Sequence, residues 1–216
     1  PDSSQSQHLL NLLTQRFEDA WRACLQREDL ERTHTDLINR RELDRKVGRA
    51  LADVTDIDTL SITIDQLLET LFHVQHSALY FIDPNSGQLS LGFARDFEDW
   101  EAEDALRTAW QRHPGLVIRT GRVIDVPDTD ADPENLTSTS LRRHKIKSRL
   151  YLPVRFGDQV IGAIGLASTH TNAFGEMHRD AITFLTDIVG LTWGRIREES
   201  TRKRREALLC TTSDIS

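Results

Sequence analysis

Cysteine is scarce in this chain of 216 residues: there are two, Cys24 and Cys210, near opposite ends. A pair so placed forms neither a disulfide framework nor metal-ligand spacing. It excludes a small disulfide-stapled secreted domain and makes a reducing cytoplasm the expected location. No stretch approaches the roughly 18 consecutive apolar residues of a membrane span, so no membrane is expected as a partner. An excess of positive charge is lacking too: 27 Lys and Arg face 34 Asp and Glu, for a net charge of −7. That balance favours solubility and argues against nucleic acid as a partner. The chain has no P-loop, no G-x-S-x-G elbow, no dinucleotide fingerprint and no HxH or HExxH spacing among its histidines. It begins with Pro1 rather than Met and carries no basic-then-apolar leader, so the expectation is an excised piece of a longer protein.

What is present is a polar chain, 38% hydrophobic and 28% charged, long enough for one large domain with appendages. Residues 8–52 contain no proline and a single glycine, Gly48, and read as one helix of about 70 Å, too long for a small domain to bury. Its apolar positions Leu10, Leu13, Phe17, Ala20 and Cys24, then Leu30 and Leu37, follow an imperfect heptad seam. That pattern suits a helix pairing with its twin. The composition shifts near residues 53–58, where Asp58 or Thr59 can cap a helix with the stripe Leu60, Ile64, Leu67, Leu68 and Leu71.

Beyond it, residues 76–83 and 88–94 read as a hairpin closed by Pro84-Asn85-Ser86-Gly87. Trp100, Leu106, Trp110 and His113 mark a second amphipathic helix, and Pro114 and Gly121 bracket a short third one. Residues 123–126 form a short strand, 127–135 a polar loop, and 137–145 a short helix. The most regular stretch is 148–169, where apolar runs 150–156 and 160–167 meet across Gly157-Asp158 as a buried strand pair. A last helix follows Phe174, with Ala181, Phe184, Leu185, Ile188, Thr192 and Ile196 on its inner face. It turns charged beyond Arg197. The expected organisation is a linker and dimerisation helix at 1–52, a globular domain at 53–197, and a connecting helix from 198 to 216. The fold class is α+β: a central antiparallel β-sheet with helices on both faces, flanked by long N- and C-terminal helices.

Three segments in order then resemble the GAF domain. They are Ser148-Arg149-Leu150-Tyr151-Leu152-Pro153-Val154 with Gly157 and residues 160–166, the helix–glycine–strand segment 117–128, and Phe174-Gly175-Glu176-Met177-His178. The resemblance spans about residues 53–197. It implies a sheet with the first and last helices on one face and a small-molecule pocket on the other. It also implies a regulatory module, not an enzyme, in a larger bacterial signalling protein such as a histidine kinase, cyclase, phosphodiesterase or transcription regulator. A homodimer through the flanking helices and a small-molecule ligand are the implied partners. The pocket candidates on this resemblance are Tyr80, Phe93, Trp100 and Trp110, together with His144, Arg149 and Tyr151. Alternation alone leaves open which of Tyr80 and Phe81, or of Leu150 and Tyr151, faces the pocket.

Other constellations weigh less. The family's methionine sulfoxide reductase branch needs pocket thiols, and no cysteine lies between residues 25 and 209. The cyclic-nucleotide branch's Asn-Lys and Asp-Glu pairs are reduced here to Asn172 and Phe174, and Phe174 reads as a hydrophobic anchor. Asp128, Asp130 and Asp132 alternate as in a calcium loop, but Pro133 and Thr139 stand where glycine and glutamate belong, so a solvated acidic loop is preferred. Arg142, Arg143, His144, Lys145, Lys147 and Arg149 either hold an anionic ligand or pair with that acidic loop; the second is the plainer reading. No cofactor is named by the sequence. The alternatives to a ligand sensor are a ligand-free dimerising spacer and a haem- or cofactor-bearing gas or redox sensor.

Overall fold

The structure, a computed structural model, describes residues 40–83, 86–132 and 143–213, the last seven by backbone alone. The chain divides into two compact units, Pro1–Arg45 and Lys46–Ser216. In the first, residues 40–45 are helical. The helix and heptad seam expected over residues 8–39, with the pairing built on it, lie outside the described residues.

The second unit begins with α1 (residues 46–52). Then α2 (Ile57–Phe72) is capped by Asp56, whose carboxylate accepts the Thr59 N–H at 2.8 Å. The cap therefore falls two residues before Asp58. Asp56 takes the extended conformation that sets its carboxylate over the third helical N–H, whereas Asp58 is already in the first turn. Leu60, Ile64 and Leu68 of the expected stripe are fully buried.

Strands β1 (His76–Ile82) and β2 (Leu89–Arg95) form the first hairpin. The single helix expected across Trp100 to His113 is in fact three pieces: α3 (Asp99–Thr108), a 3-10 turn (Ala109–Gln111), and α4 (His113–Thr120). The break lies at Arg112, whose extended backbone interrupts the periodicity. It sets Pro114 in the first turn of α4, where a missing N–H costs nothing. Strand β3 (Ile124–Val126) follows. The helix expected at 137–145 lies outside the described residues up to Arg142, and residues 143–147 are not helical.

The central hairpin is β4 (Ser148–Phe156) and β5 (Gln159–Ser168), paired in register from Ser148 with Ser168 to Phe156 with Gln159. Its two-residue turn needs a positive φ at the first position, which Gly157 supplies at 59°. The last helix, α5 (Glu176–Ser213), completes the chain.

The sheet is antiparallel, in the order β2-β1-β5-β4-β3. Register fixes its two faces. Leu79, Ile164 and Leu152 stand in one row across β1, β5 and β4. With Leu150, Leu166 and Val154 they form the buried face that packs against α2 and α5. Leu60, Ile64 and Leu68 of α2 and Ile182, Leu185 and Val189 of α5 supply the facing layer, all essentially without exposure. Each such side chain contributes about 1.5–3 kcal/mol. Arg195 of α5 donates to the carbonyls of Leu51, Ala52 and Val54, tying α1 and its exit to the same layer. The opposite face carries His76, Ala78, Tyr80, Arg149 and Tyr151 beneath α3, the 3-10 turn and α4.

Candidate functional site

Apolar side chains fill the second face only in part, in clusters around Ala109 and around Val117 and Ile118. Strand β5 presents small residues to it, Gly165 and Ala167 at the cavity and Ala163 in an apolar cluster with Val117 and Ile118 of α4. At Gly165 a Cβ would collide with the Tyr151 ring, so glycine lets that ring lie across the strand. A cavity of about 50 Å³ remains, room for a few waters or a group of that size. Sheet residues floor it, α3 and the start of α4 wall it, and residues 143–146 close one end.

Three titratable groups meet at that end. Asp96, just past β2, holds a left-handed φ of 59° that few residues tolerate but Asp does. Its Oδ2 lies 2.9 Å from His76 Nδ1 and 3.0 Å from His144 Nε2. The two imidazoles sit with centroids 4.8 Å apart. His76 is buried at the start of β1. That burial pushes its pKa down from the ordinary 6.5, against the upward pull of Asp96. Glu101 supports the group from α3. One of its oxygens accepts the Glu98 N–H at 3.0 Å in a capping box, and the other accepts the Arg143 N–H at 3.1 Å. The carboxylate, 3% exposed, thereby fixes the backbone beside His144.

At the other end Arg149 enters from β4. Its Nη1 donates to the Tyr151 hydroxyl at 3.3 Å, while its buried Nε has no hydrogen-bond partner among the described residues. His113, wholly buried at the start of α4, stacks on Tyr151 with centroids 5.3 Å apart and planes 15° from parallel. Its Nε2 lies 3.4 Å from Asp132 Oδ2, and neither ring nitrogen has a hydrogen bond of good geometry among the described residues. Burial lowers the His113 pKa from 6.5. Asp132 opposes that shift, and the nearby Arg149 and Arg112 guanidiniums add to it.

Of the candidates named from sequence, the structure brings Tyr80, His144, Arg149 and Tyr151 to this cavity. Tyr80 and Tyr151 turn toward it, and Phe81 and Leu150 fall on the other face. Phe93 stands elsewhere, opposite Leu79 on the α2 side. A bulge between Leu79 and Tyr80 shifts the pairing, so that Phe93 matches Leu79 and Leu91 matches Tyr80. Trp100 is 47% exposed. Trp110 packs against the apolar cluster of Val117, Ile118, Tyr151 and Ala163, outside the cavity lining. Sequence reasoning missed Asp96 and Glu101, and it gave no preference to His76 or His113. Glu101 alone left a trace, the Glu98-x-x-Glu101 spacing of a capping box.

The basic segment divides its labour. Lys147 pairs with Asp130 of the acidic loop, and each stabilises the charged form of the other. Thr129 also bonds the carbonyls of Ile146 and Lys147. Arg143 reaches Glu98 at 3.2 Å, and Arg149 points inward. From the loop's start, Pro127 accepts the Asn172 N–H at 2.8 Å. Asp125 of β3 pairs with Arg179 in the second turn of α5.

The strand order, with two long helices on one face and a polar cavity under short helices on the other, defines a class of α+β fold. The family model for the GAF domain matches residues 55–193, well over half the chain, and the chain belongs to the GAF domain family. The solved GAF domain of a phosphoenolpyruvate-protein phosphotransferase from Coxiella burnetii is similar at TM-score 0.64 and 14% identity, over 76% of this chain and 98% of that one. The corresponding Acinetobacter domain gives 0.59 at 14% identity, over 76% and 95%. A free methionine-R-sulfoxide reductase from Neisseria meningitidis, in complex with its substrate, gives 0.57 at 22% identity, over 74% and 91%. No curated protein matches the sequence. Among the described residues, no helix is long and apolar enough to cross a membrane.

Proposed function

We propose that this chain is a regulatory, ligand-sensing GAF module of a larger signalling protein. The observation that carries the reading is a cavity bordered by buried polar side chains left incompletely bonded, Arg149 Nε above all. A buried donor without a partner costs about 1–3 kcal/mol, and a small polar molecule that accepts from it recovers that cost. The cavity joins a guanidinium at one end to carboxylates and imidazoles at the other, which suits a small molecule carrying both an anionic and a cationic or hydrogen-bonding group. The Neisseria relative is described with a free amino-acid derivative as its substrate, which agrees with that class of ligand. Its reductase chemistry does not transfer readily, because this chain has no cysteine within the matched residues 55–193.

The route from cavity to output runs through β3 and α5. Arg149 pairs in register with Val126, next to Asp125, and Asp125 holds Arg179 of α5. A ligand that draws Arg149 changes the load on that pair and so biases how α5 leaves the domain. Pairing of two copies through the flanking helices would convert that bias into a signal.

Native mass spectrometry of the freshly purified protein, repeated after denaturation, tests this. A dimer carrying an additional mass that denaturation releases, and that Arg149→Met lacks, is the expected result. A wild-type protein that stays free of added mass, and whose melting temperature no amino acid or organic acid raises, would defeat the sensor reading and favour a dimerising spacer.

A further inference from the structure

At the Asp96 end of the cavity three potential metal-ligating side chains converge. Two imidazole nitrogens approach one carboxylate oxygen at 2.9 and 3.0 Å, and one donor atom from each of the three side chains lies within 4.8 Å of the others. His144 Nε2, moreover, has no hydrogen bond of acceptable geometry there despite its closeness. Around a metal ion with ligands at about 2.1 Å, adjacent donors in octahedral geometry are about 3.0 Å apart and opposite ones about 4.2 Å. The 2.9 and 3.0 Å separations match adjacent donors, and the widest, within 4.8 Å, closes to the opposite-donor value with a shift of about 0.6 Å that the partly exposed His144 side chain can make.

We propose that His76, His144 and Asp96 form a binding site for a divalent transition-metal ion of the iron–zinc class. Two imidazoles and a carboxylate are borderline donors, which select such ions over calcium or magnesium. Three protein ligands leave further coordination positions open toward the cavity, where a small molecule can complete the shell. Glu101 is not a ligand, because both its oxygens are engaged by the Glu98 and Arg143 N–H groups. It is a positioning residue that orients His144 through the adjacent backbone and adds negative charge near the ion. The ligands come from the start of β1, the end of β2 and the segment entering β4, so an ion would brace three separate parts of the cavity rim. The proposal places the ion in the same pocket as the sensed molecule and rests on that pocket being a ligand site.

The test titrates cobalt(II) alone into the full chain after treatment with chelator, reading visible d–d absorption and metal content after desalting. One cobalt per chain is expected, displaced by zinc. His144→Gln, at a half-exposed position that the fold tolerates, and Asp96→Asn should each weaken binding at least about 100-fold, and Glu101→Gln about 10-fold. His178→Gln, at an exposed histidine on α5, should leave binding unchanged. Thermal melts of each variant confirm the fold. Failure of the wild type to retain cobalt, or wild-type binding by both His144→Gln and Asp96→Asn, would overturn the site. A cobalt-free protein that still carries an organic mass in native spectra defeats the metal site and leaves the sensor reading intact. Cobalt bound with no organic partner does the reverse.

Discussion

The two faces of the sheet are built from alternate residues of the same strands, yet they obey different rules. On the α2 and α5 side, leucine, isoleucine and valine meet mostly the same residue types, with the small Ser61 and Ser77 among the few polar side chains buried there. On the other side the same strands present His76, Tyr80, Arg149 and Tyr151, and β5 contributes Gly165 and Ala167 where the cavity lies. The first face is close-packed and almost wholly apolar. The second keeps a cavity and groups whose hydrogen-bonding capacity is not met internally. On the proposed reading, the first face carries stability and the second carries ligand binding.

That contrast breaks most visibly at the dry face. Leu185→Ala empties a fully buried position on α5 and should cost about 2–5 kcal/mol in a denaturant titration, with ligand affinity per folded molecule unchanged. At the wet face the sign reverses. Arg149→Met replaces a buried, half-bonded cation by an apolar chain of similar volume and should raise unfolding free energy by about 1 kcal/mol while abolishing ligand retention. If Arg149→Met instead destabilises as much as Leu185→Ala, the guanidinium belongs to the scaffold and the division between the faces is wrong.

Acid sharpens the comparison further. His113 faces Asp132, Arg149, Arg112 and the Tyr151 ring, and its folded pKa lies below the ordinary 6.5. The unfolded chain therefore binds more protons than the folded one in this range. The stability contributed by neutral His113 is present above about 6.5, falls as pH drops through that value, and levels off below the folded pKa. Melting temperature followed from neutral to mildly acidic pH should fall, and His113→Leu should flatten the decline. An unchanged slope in that variant would place the acid sensitivity elsewhere.

The smallest expected effect is at the outer surface of the dry layer. Leu191 of α5 is 60% exposed, and Leu191→Glu should move monomer stability by no more than about 0.5 kcal/mol. If α5 helps join two copies, the same change shifts sedimentation toward the monomer. An unaltered dimer would remove this part of α5 from the interface.

Much of the fold was legible in the sequence because local physics writes it there. The Gly157 turn and the apolar runs on either side of it specify a hairpin. The α2 stripe recurs at helical spacing, and Pro114 and Gly121 bracket α4 as their backbone preferences require. The misreadings are local too. One helix was read across Trp100 to His113 because an extended residue such as Arg112 leaves no mark in a hydrophobic pattern. Phe93 is a pocket candidate only as an aromatic on a flanking strand, and the bulge that pairs it with Leu79 on the other face leaves no mark in composition.

The candidate site divides along the same line. Arg149 and Tyr151 were within reach, since they lie on the hairpin that the sequence announces, two residues apart and therefore on one face. His76, Asp96 and His144 were not, because 20 and 48 residues separate them in the chain and no spacing rule joins them. Strand pairing sets β1 beside β2, and Glu101 holds the segment before β4 against α3. Only those long-range contacts bring the three side chains together. By itself the sequence determined the class of the fold and the dry core, which follow from periodicities a few residues long, and three short segments in it carry the resemblance to its family. The tertiary structure decided which face stays hollow and which charged groups meet there. Convergence in space is a property of the packed chain, and no local pattern encodes it.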